Sequence, residues 1–330
     1  MASTLPEMPA LPIALSVPLP VLSVAERLED AGEAAYLVGR CVRELLGGGE
    51  PCEFEIATHA TAQTLLELFP SAIVTAPDAR RLMLPTAAGP LDLAPIAAPA
   101  GIEGELGRRD FRIHAIAYRP RGAAWIDPTH GRADLASGCL RTPISASECI
   151  AADPVRALRA ARLVSELGLE VDPELEAALQ EIAPVFEKWG GRRARVEIDA
   201  LLVGPHAQRA LELLVRTRIM AALAPGAADD LAAVVSRLPD DLELRLAGWL
   251  RGAAVAATLR KLRCPRDRAT RVERMLQMHP VDAGPRAARE ARARRLARRP
   301  GAEQAALLAL RTAELDAAPR MCRRAGPSTT

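Results

Sequence analysis

Two glutamates two positions apart, Glu53 and Glu55 in Glu53-Phe54-Glu55-Ile56-Ala57-Thr58, are the first residues whose type and spacing suggest chemistry. The segment alternates acidic and apolar residues as a half-buried strand does, and side chains at i and i+2 of a strand leave the same face. Carboxylates so placed can ligate a pair of divalent ions. Taken alone, the segment is better explained as an exposed strand face with two solvated glutamates. Upstream, Leu37-Val38-Gly39-Arg40-Cys41-Val42-Arg43-Glu44-Leu45 reads as a strand that ends at glycine and enters a helix, a turn that offers backbone N–H groups to an anion. Such turns are common. Farther along lie Arg108-Arg109-Asp110-Phe111-Arg112-Ile113-His114-Ala115-Ile116-Ala117-Tyr118, then Ile126-Asp127-Pro128, then Ala152-Asp153-Pro154-Val155-Arg156-Ala157-Leu158-Arg159-Ala160-Ala161-Arg162. On a helix Asp153 and Arg156 share a face, as do Arg159 and Arg162. An aspartate beside an arginine is either an ion pair or an acceptor and a donor fork for a base edge.

These residues need elements to carry them. Val21–Asp30 has helical periodicity and stops before Gly32; Ala34–Val38 reads as a buried strand, Arg40–Leu46 as a helix and Glu53–Thr58 as the strand above. Thr61–Leu68 is a helix, and Ala72–Thr75, Arg81–Leu84 and Leu91–Leu93 are short strands. After about Ser147 the strand-like runs disappear. Helical periodicity marks Pro154–Leu167, Pro173–Ile182, Ala207–Val215, Ala227–Arg237, Thr258–Met278 and Gln304–Leu310. A mixed α/β first part with a small sheet, then an all-helical part, is the expected division, with no strand beyond about residue 150.

At 330 residues the chain suggests two or three packed units. Aromatic residues are 3% against 49% hydrophobic, so Ala, Leu, Val and Ile must build the core and little remains for stacking bases. The net charge is +2, which rules out a polycation and requires any nucleic-acid surface to be local. Six cysteines, Cys41, Cys52, Cys139, Cys149, Cys264 and Cys322, form no Cys-x-x-Cys pair and read as reduced thiols. No apolar run reaches 18 residues, and the apolar Pro9–Val24 stretch is broken by four prolines with no basic residues before it. It reads as an extended lead-in, so the expected location is cytoplasmic, with no membrane partner.

Taken in order, the segments resemble the class II tRNA nucleotidyltransferase (CCA-adding enzyme) and bacterial poly(A) polymerase family of the polymerase-beta superfamily. Its pattern runs L-V-G-G-x-V-R-D-L-L, D-F-D-I-A-T-x-A, R-R-D-F-T-I-N-A-I-A, I-D-P-x-G-G-x-x-D-L and E-D-P-x-R-x-x-R-A-x-R. The resemblance covers residues 30 to 215 well and the remainder loosely. It implies an α+β fold: a small five-stranded-type nucleotidyltransferase α/β head, mixed sheet with helices, followed by an all-helical neck and body. The implied divisions are a lead-in over 1–20, the head over 21–146, a neck over 147–215 that binds nucleotide base and RNA, and an RNA-binding body over 216–330.

The implied activity is template-independent addition of AMP or CMP, from ATP or CTP, to an RNA 3′ end, that of tRNA being the expected substrate. Glu53 and Glu55 would hold two Mg²⁺, with Mn²⁺ as the alternative ion, and Asp92 would be a third catalytic carboxylate. Gly39, Arg40 and Arg43 would face the triphosphate. Arg109 and Asp110 would lie around ribose and phosphate, and Asp153 and Arg156 would read the base, with Arg159 and Arg162 beside them. A bidentate readout of this kind is worth about 1–3 kcal/mol against a wrong base. In the Arg-rich stretch Arg286–Arg299, the residues Arg292, Arg295 and Arg299 would contact RNA phosphates, a solvated basic face being the plainer reading.

The chain departs from the pattern at several positions. Glu53 and Glu55 replace Asp, Arg40 replaces Gly, Glu44 replaces Asp, His114 replaces Asn with a structural role expected, Ala152 replaces Glu, and Asp78-Ala79-Arg80-Arg81 lacks the F-G-T or H-G-T signature. These departures leave a second reading open, a paralogue that binds RNA or nucleotide without transfer. A small-molecule nucleotidyltransferase would share the carboxylate strand but leaves the Asp153–Arg162 segment unexplained.

Overall fold

A computed structural model describes residues 17–76, 81–97, 99–280, 294–295, 298 and 301–317. Chain contacts separate two compact units: one runs to Ala152 and takes in Glu170–Leu175, the other holds Asp153–Leu169 and continues from Glu176.

The first unit begins with helix α1 (Leu19–Asp30), strand β1 (Ala35–Val38), helix α2 (Arg40–Leu46), strand β2 (Phe54–Thr58) and helix α3 (Ala62–Leu68). Strands β3 (Ile73–Val74), β4 (Leu82–Thr86) and β5 (Gly89–Pro95), helix α4 (Gly101–Gly107), strands β6 (Ala117–Arg119) and β7 (Ala124–Ile126), helix α5 (Gly131–Ser137), strand β8 (Cys139–Leu140) and helix α6 (Ala146–Ala152) complete it. Seven strands form one sheet in the order β3-β4-β5-β2-β1-β6-β7. β2 and β5 run parallel, and the other neighbours are antiparallel.

The sheet is therefore larger than the five strands expected. The extra pair, β6 and β7, is a hairpin at the edge whose loop contains Gly122 and Ala123, both at positive φ (86° and 49°). Three-residue strands are too short for alternation to reveal.

Period-two alternation decides which face each residue serves. Leu37, Phe54, Ile56, Leu82, Leu91 and Leu93 point into one buried cluster with Val21, Leu28, Val42 and Leu65 from α1, α2 and α3. The opposite face carries a smaller cluster, Tyr36, Val38, Ala57, Ile96, Leu106, Ala115 and Ala117. Functional polar groups can stand on that thinly covered face.

Beyond α6 come α7 (Val155–Leu167), β9 (Glu170–Val171), α8 (Pro173–Ile182), α9 (Arg192–Val203), α10 (Ala207–Arg216), α11 (Ile219–Leu223), α12 (Leu231–Arg237), α13 (Leu242–Trp249), α14 (Val255–Lys261), α15 (Arg266–Met278) and α16 (Gly301–Ala317). The two-residue β9 corrects the expectation of no strand past residue 150. It pairs in parallel with β8 inside the first unit, through Glu170 N–H to the Gly138 carbonyl at 2.8 Å. Gly168, left-handed at φ 68°, stops α7 and permits that return.

The single helix expected over Thr258–Met278 is two. Pro265 cannot donate within a helix and starts α15, while Arg263 at φ 49° closes the preceding turn. In the second unit α7, α9 and α10 pack on one another through buried Leu158, Leu163, Leu201, Leu202, Leu211 and Leu214. Among the described residues no helix is long and apolar enough to cross a membrane.

Candidate active site

In β2 the alternation sends Phe54 and Ile56 into the core and Glu55 to the other face; in β5 it sends Leu91 and Leu93 inward and Asp92 outward. The parallel register sets Glu55 directly beside Asp92. Glu53 precedes the first residue of β2 and is exposed. Glu55 and Asp92 thus stand side by side on interior strands of the thinly covered face, with the Glu53 charge acting on Asp92.

The pair is not solitary. Arg109 forks Glu55, with Nη1 donating to Oε2 at 2.9 Å and Nη2 to Oε1 at 3.0 Å. Arg109 is held in turn by Glu105, one helical turn earlier at 3.6 Å. Arg81 reaches both acids, Nη1 to Asp92 Oδ2 at 3.1 Å and Nη2 to Glu55 Oε1 at 3.4 Å. Burial pushes the Asp92 carboxyl above the ordinary carboxylate value; Arg81 opposes the rise, and the Glu55 and Glu53 charges add to it.

Gly39 lies beneath this pair. Its φ of 76° and ψ of −136° belong to backbone that favours glycine. A Cβ there would stand 3.0 Å from Arg109 Nη1 and 3.2 Å from Glu55 Oε2. Arg40 turns away into an exposed pair with Glu44 at 2.5 Å. Burial pushes the neighbouring Cys41 thiol up to about 11, which leaves it unreactive.

Arg43 and Asp110 face inward. Arg43 is 4% exposed, and its Nη1 meets His114 Nε2 at 2.8 Å; His114 Nδ1 meets Asp110 Oδ1 at 3.0 Å. Arginine can only donate, so Nε2 accepts and the proton sits on Nδ1. The same Asp110 oxygen accepts the Phe111 amide at 2.9 Å. His114 therefore has the structural role expected from sequence, and Asp110 is a core anchor of the segment that presents Arg109. The Asp127 carboxylate closes α5 by accepting the amides of Gly131 at 2.7 Å and Arg132 at 3.0 Å. Gly131 packs on the Arg112 carbonyl, where a Cβ would stand at 1.9 Å.

In the second unit, Asp153 leads into α7. Its Oδ1 accepts the Val155 amide at 3.2 Å, and Oδ2 pairs with Arg193, not with Arg156. Arg156 is half-buried in the first turn of α7. Arg159 and Arg162 converge on the buried Glu197 of α9, Nε to Oε1 at 3.2 Å and Nε to Oε2 at 2.6 Å, and Arg162 also pairs with Glu166 at 2.7 Å. Of the proposed RNA contacts, Arg295 is exposed, while Arg292, Arg299 and the segment Asp78–Arg80 lie outside the described residues.

Sequence reasoning missed Arg81 and Glu197. The signal for Arg81 is its even spacing to Met83, the β4 residue in register with Asp92. For Glu197 it is an acid within the Ala194, Ile198 and Leu201 stripe of an amphipathic helix.

The resemblance implies divalent ions, and the donor set can be tested against them. Three carboxylates are hard oxygen donors, and burial, together with the charges of Glu55 and Glu53, raises Asp92, a cost a cation would relieve. No three acid, thiol or imidazole groups among the described residues form a preformed cage. Mg²⁺ does not require one, since it is commonly held by one or two carboxylates with water and substrate phosphates. The residues fit such an ion.

A family model described as "Probable RNA and SrmB- binding site of polymerase A" matches residues 168–231. The CCA-adding enzyme of Geobacillus stearothermophilus is 33% identical over 222 residues, 63% of this chain and 54% of the relative. The CC-adding tRNA nucleotidyltransferase of Shouchella clausii is 33% identical over 216 residues, 64% of this chain and 56% of the relative. The chain thus spans just over half the length of these curated relatives. Among solved structures, Bacillus stearothermophilus CCA-adding enzyme in complex with CTP superposes with a TM-score of 0.73 and 26% identity, covering 91% of this chain and 78% of that one. The Thermotoga maritima CCA-adding enzyme complexed with tRNA shares the fold, at a TM-score of 0.72 and 18% identity over 93% of this chain and 83% of that one.

Proposed function

We propose that this chain, which belongs to the class II tRNA nucleotidyltransferase and bacterial poly(A) polymerase family, adds AMP or CMP from ATP or CTP to the 3′ end of an RNA, in the first instance tRNA. The observation that carries the reading is the side-by-side placement of Glu55 and Asp92 on paired strands, with Gly39 and the Arg109 fork against them. The RNA 3′ hydroxyl would release its proton to water as its oxygen bonds to the α-phosphorus, the bond to the bridging oxygen would break, and pyrophosphate would leave with that electron pair.

The Gly39 turn would let backbone approach the triphosphate without a side chain in the way. Arg109 would supply a planar donor pair to phosphate as it now does to carboxylate. Glu53, Glu55 and Asp92 would hold two divalent ions, Mg²⁺ or Mn²⁺. When bound, one would lower the pKa of the attacking hydroxyl and the other would neutralise the leaving pyrophosphate. Arg43 and Asp110 would act from within, by fixing the turn and the Arg109 segment. Carried over from the family pattern, Asp153 and Arg156 would read the base, with Glu197 fixing Arg159 and Arg162 behind them. The neck, 147–215, and the body, 216–330, would bind RNA, a role supported by the family model over 168–231.

Incubation with labelled ATP or CTP and a tRNA lacking its 3′ end tests the proposal. No incorporation with either Mg²⁺ or Mn²⁺ refutes it. One observation favours the second reading, a paralogue that binds RNA or nucleotide without transfer: both Glu55 oxygens accept from guanidinia. It predicts RNA binding unchanged by Glu53→Ala and Glu55→Ala, with no transfer by the unaltered chain.

A further inference from the structure

We propose that Arg81 is the resident cation of the carboxylate cluster, holding the place between Glu55 and Asp92 and limiting the free protein to one divalent ion there. The inference rests on the reading that Glu53, Glu55 and Asp92 are the cation ligands of a transferase site.

Its basis is the strand register. Met83 of β4 is the partner of Asp92, and Arg81 stands two residues before it, so its side chain leaves toward the Asp92 face. The guanidinium then bridges two strands that are themselves paired, 3.1 Å to Asp92 Oδ2 and 3.4 Å to Glu55 Oε1. A planar fork with two N–H arms suits two carboxylates that a divalent ion would otherwise share. From its other side Glu55 is held by Arg109.

Charge points the same way. Glu53, Glu55, Asp92 and Glu105, the further partner of Arg109, contribute −4 and Arg81 and Arg109 contribute +2, so the group carries −2. One divalent ion neutralises that group and a second brings it to +2, before any phosphate arrives. A second ion on the Glu55–Asp92 side must therefore displace Arg81 or sit against its charge. Arg81 is about half exposed, so it can swing out when a triphosphate brings compensating negative charge. It opposes the second ion in the free protein and yields in the loaded one.

The test is Mn²⁺ binding to the full chain without nucleotide or RNA, followed by electron paramagnetic resonance of free Mn²⁺. Arg81→Gln keeps a polar but shorter side chain and removes the charge; Arg81→Lys keeps the charge. The unaltered chain and Arg81→Lys should bind one Mn²⁺, whereas Arg81→Gln should bind Mn²⁺ about tenfold more tightly or take up a second equivalent. Adding Asp92→Asn to Arg81→Gln should abolish the gain. A melting temperature unchanged in Arg81→Gln would show that the fold is intact. If Arg81→Gln binds Mn²⁺ within threefold of the unaltered chain and with the same stoichiometry, or if neither binds Mn²⁺ at millimolar concentration, the proposal is overturned. Failure of nucleotide transfer with the expected Mn²⁺ pattern would refute the transferase reading and leave the assignment of Arg81 standing.

Discussion

Gly39→Ala should damage the candidate site directly. At φ 76° and ψ −136° the position lies where non-glycine residues are scarcely found, and holding such a residue there costs about 1–3 kcal/mol. The new Cβ also meets Arg109 Nη1 at 3.0 Å and Glu55 Oε2 at 3.2 Å. Those atoms must retreat a few tenths of an ångström, but each is tied to the other by the fork, so the two cannot move independently. Weakening one charge-assisted hydrogen bond adds about 1 kcal/mol, for a total of about 2–4 kcal/mol. With a urea m-value of about 2 kcal/mol/M the midpoint should fall by about 1–2 M. Urea unfolding followed by hydrogen exchange of the β1, β2 and β5 amides isolates the first unit from the second. Nucleotide transfer should fall at least tenfold, since the alanine also moves the fork. A midpoint shift under 0.3 M with full transfer would refute both the strain argument and the placement of the turn against the pair.

Glu197→Ala leaves two guanidinia without their shared buried acceptor, a loss of about 3–5 kcal/mol for a fully buried pair, reduced to about 2–4 kcal/mol because Arg159 is a third exposed; urea unfolding of the second unit should show it, and a change below 1 kcal/mol would remove Glu197 as the anchor. Burial pushes the His279 imidazole below its ordinary 6.5, with Arg251 and Arg311 adding to the fall and Glu314 opposing it. The unfolded chain then takes up a proton that the folded chain refuses, so stability is full above about pH 6.5 and declines as pH drops below it. Urea midpoints measured from pH 8 to 5 should show that decline in the unaltered chain and not in His279→Phe; parallel curves would exclude His279 as its source. If Arg156 reads the base, Ala152→Glu should sharpen the choice between ATP and CTP and Arg156→Ala should erase it; an unchanged ATP-to-CTP ratio in both would reassign Arg156 to structure or RNA contact.

The sequence made legible whatever is periodic or punctuated. Glu53–Thr58 and Leu91–Leu93 alternate, and from them follow two strands and the face each acid serves; Gly39 marks a turn at positive φ. What remained hidden depends on through-space pairing. The fork from Arg109 to Glu55 joins residues 54 positions apart, and Arg81 reaches Glu55 across 26, distances that no local pattern encodes. Asp153 and Arg156, three apart on a helical turn, left an ion pair and a base-edge fork both open, and Asp153 takes Arg193, forty positions on. The edge hairpin escaped notice because three residues are too few to show a period. The break at Pro265 was open to view in the sequence, outweighed by apolar periodicity on both sides of it.

The parallel joining of β2 to β5 binds chemistry and core to a single degree of freedom. Slide β5 along β2 by one residue and Glu55 faces a leucine position, Asp92 turns toward the α1–α3 side, and Leu91 and Leu93 emerge into water. Slide it by two, and every apolar residue returns to its own side while the two acids move about 6.6 Å apart along the strands. The first slip would be opposed by the packing of the whole unit. The second would keep each side's polarity but set Gly89 or Pro95 in the place of a buried leucine, and it would separate the carboxylates, with the bridging guanidinium of Arg81 left to span the gap. The first slip inverts the strand, whereas the second costs one core side chain and the site, so core packing and the cross-strand charges hold the register together.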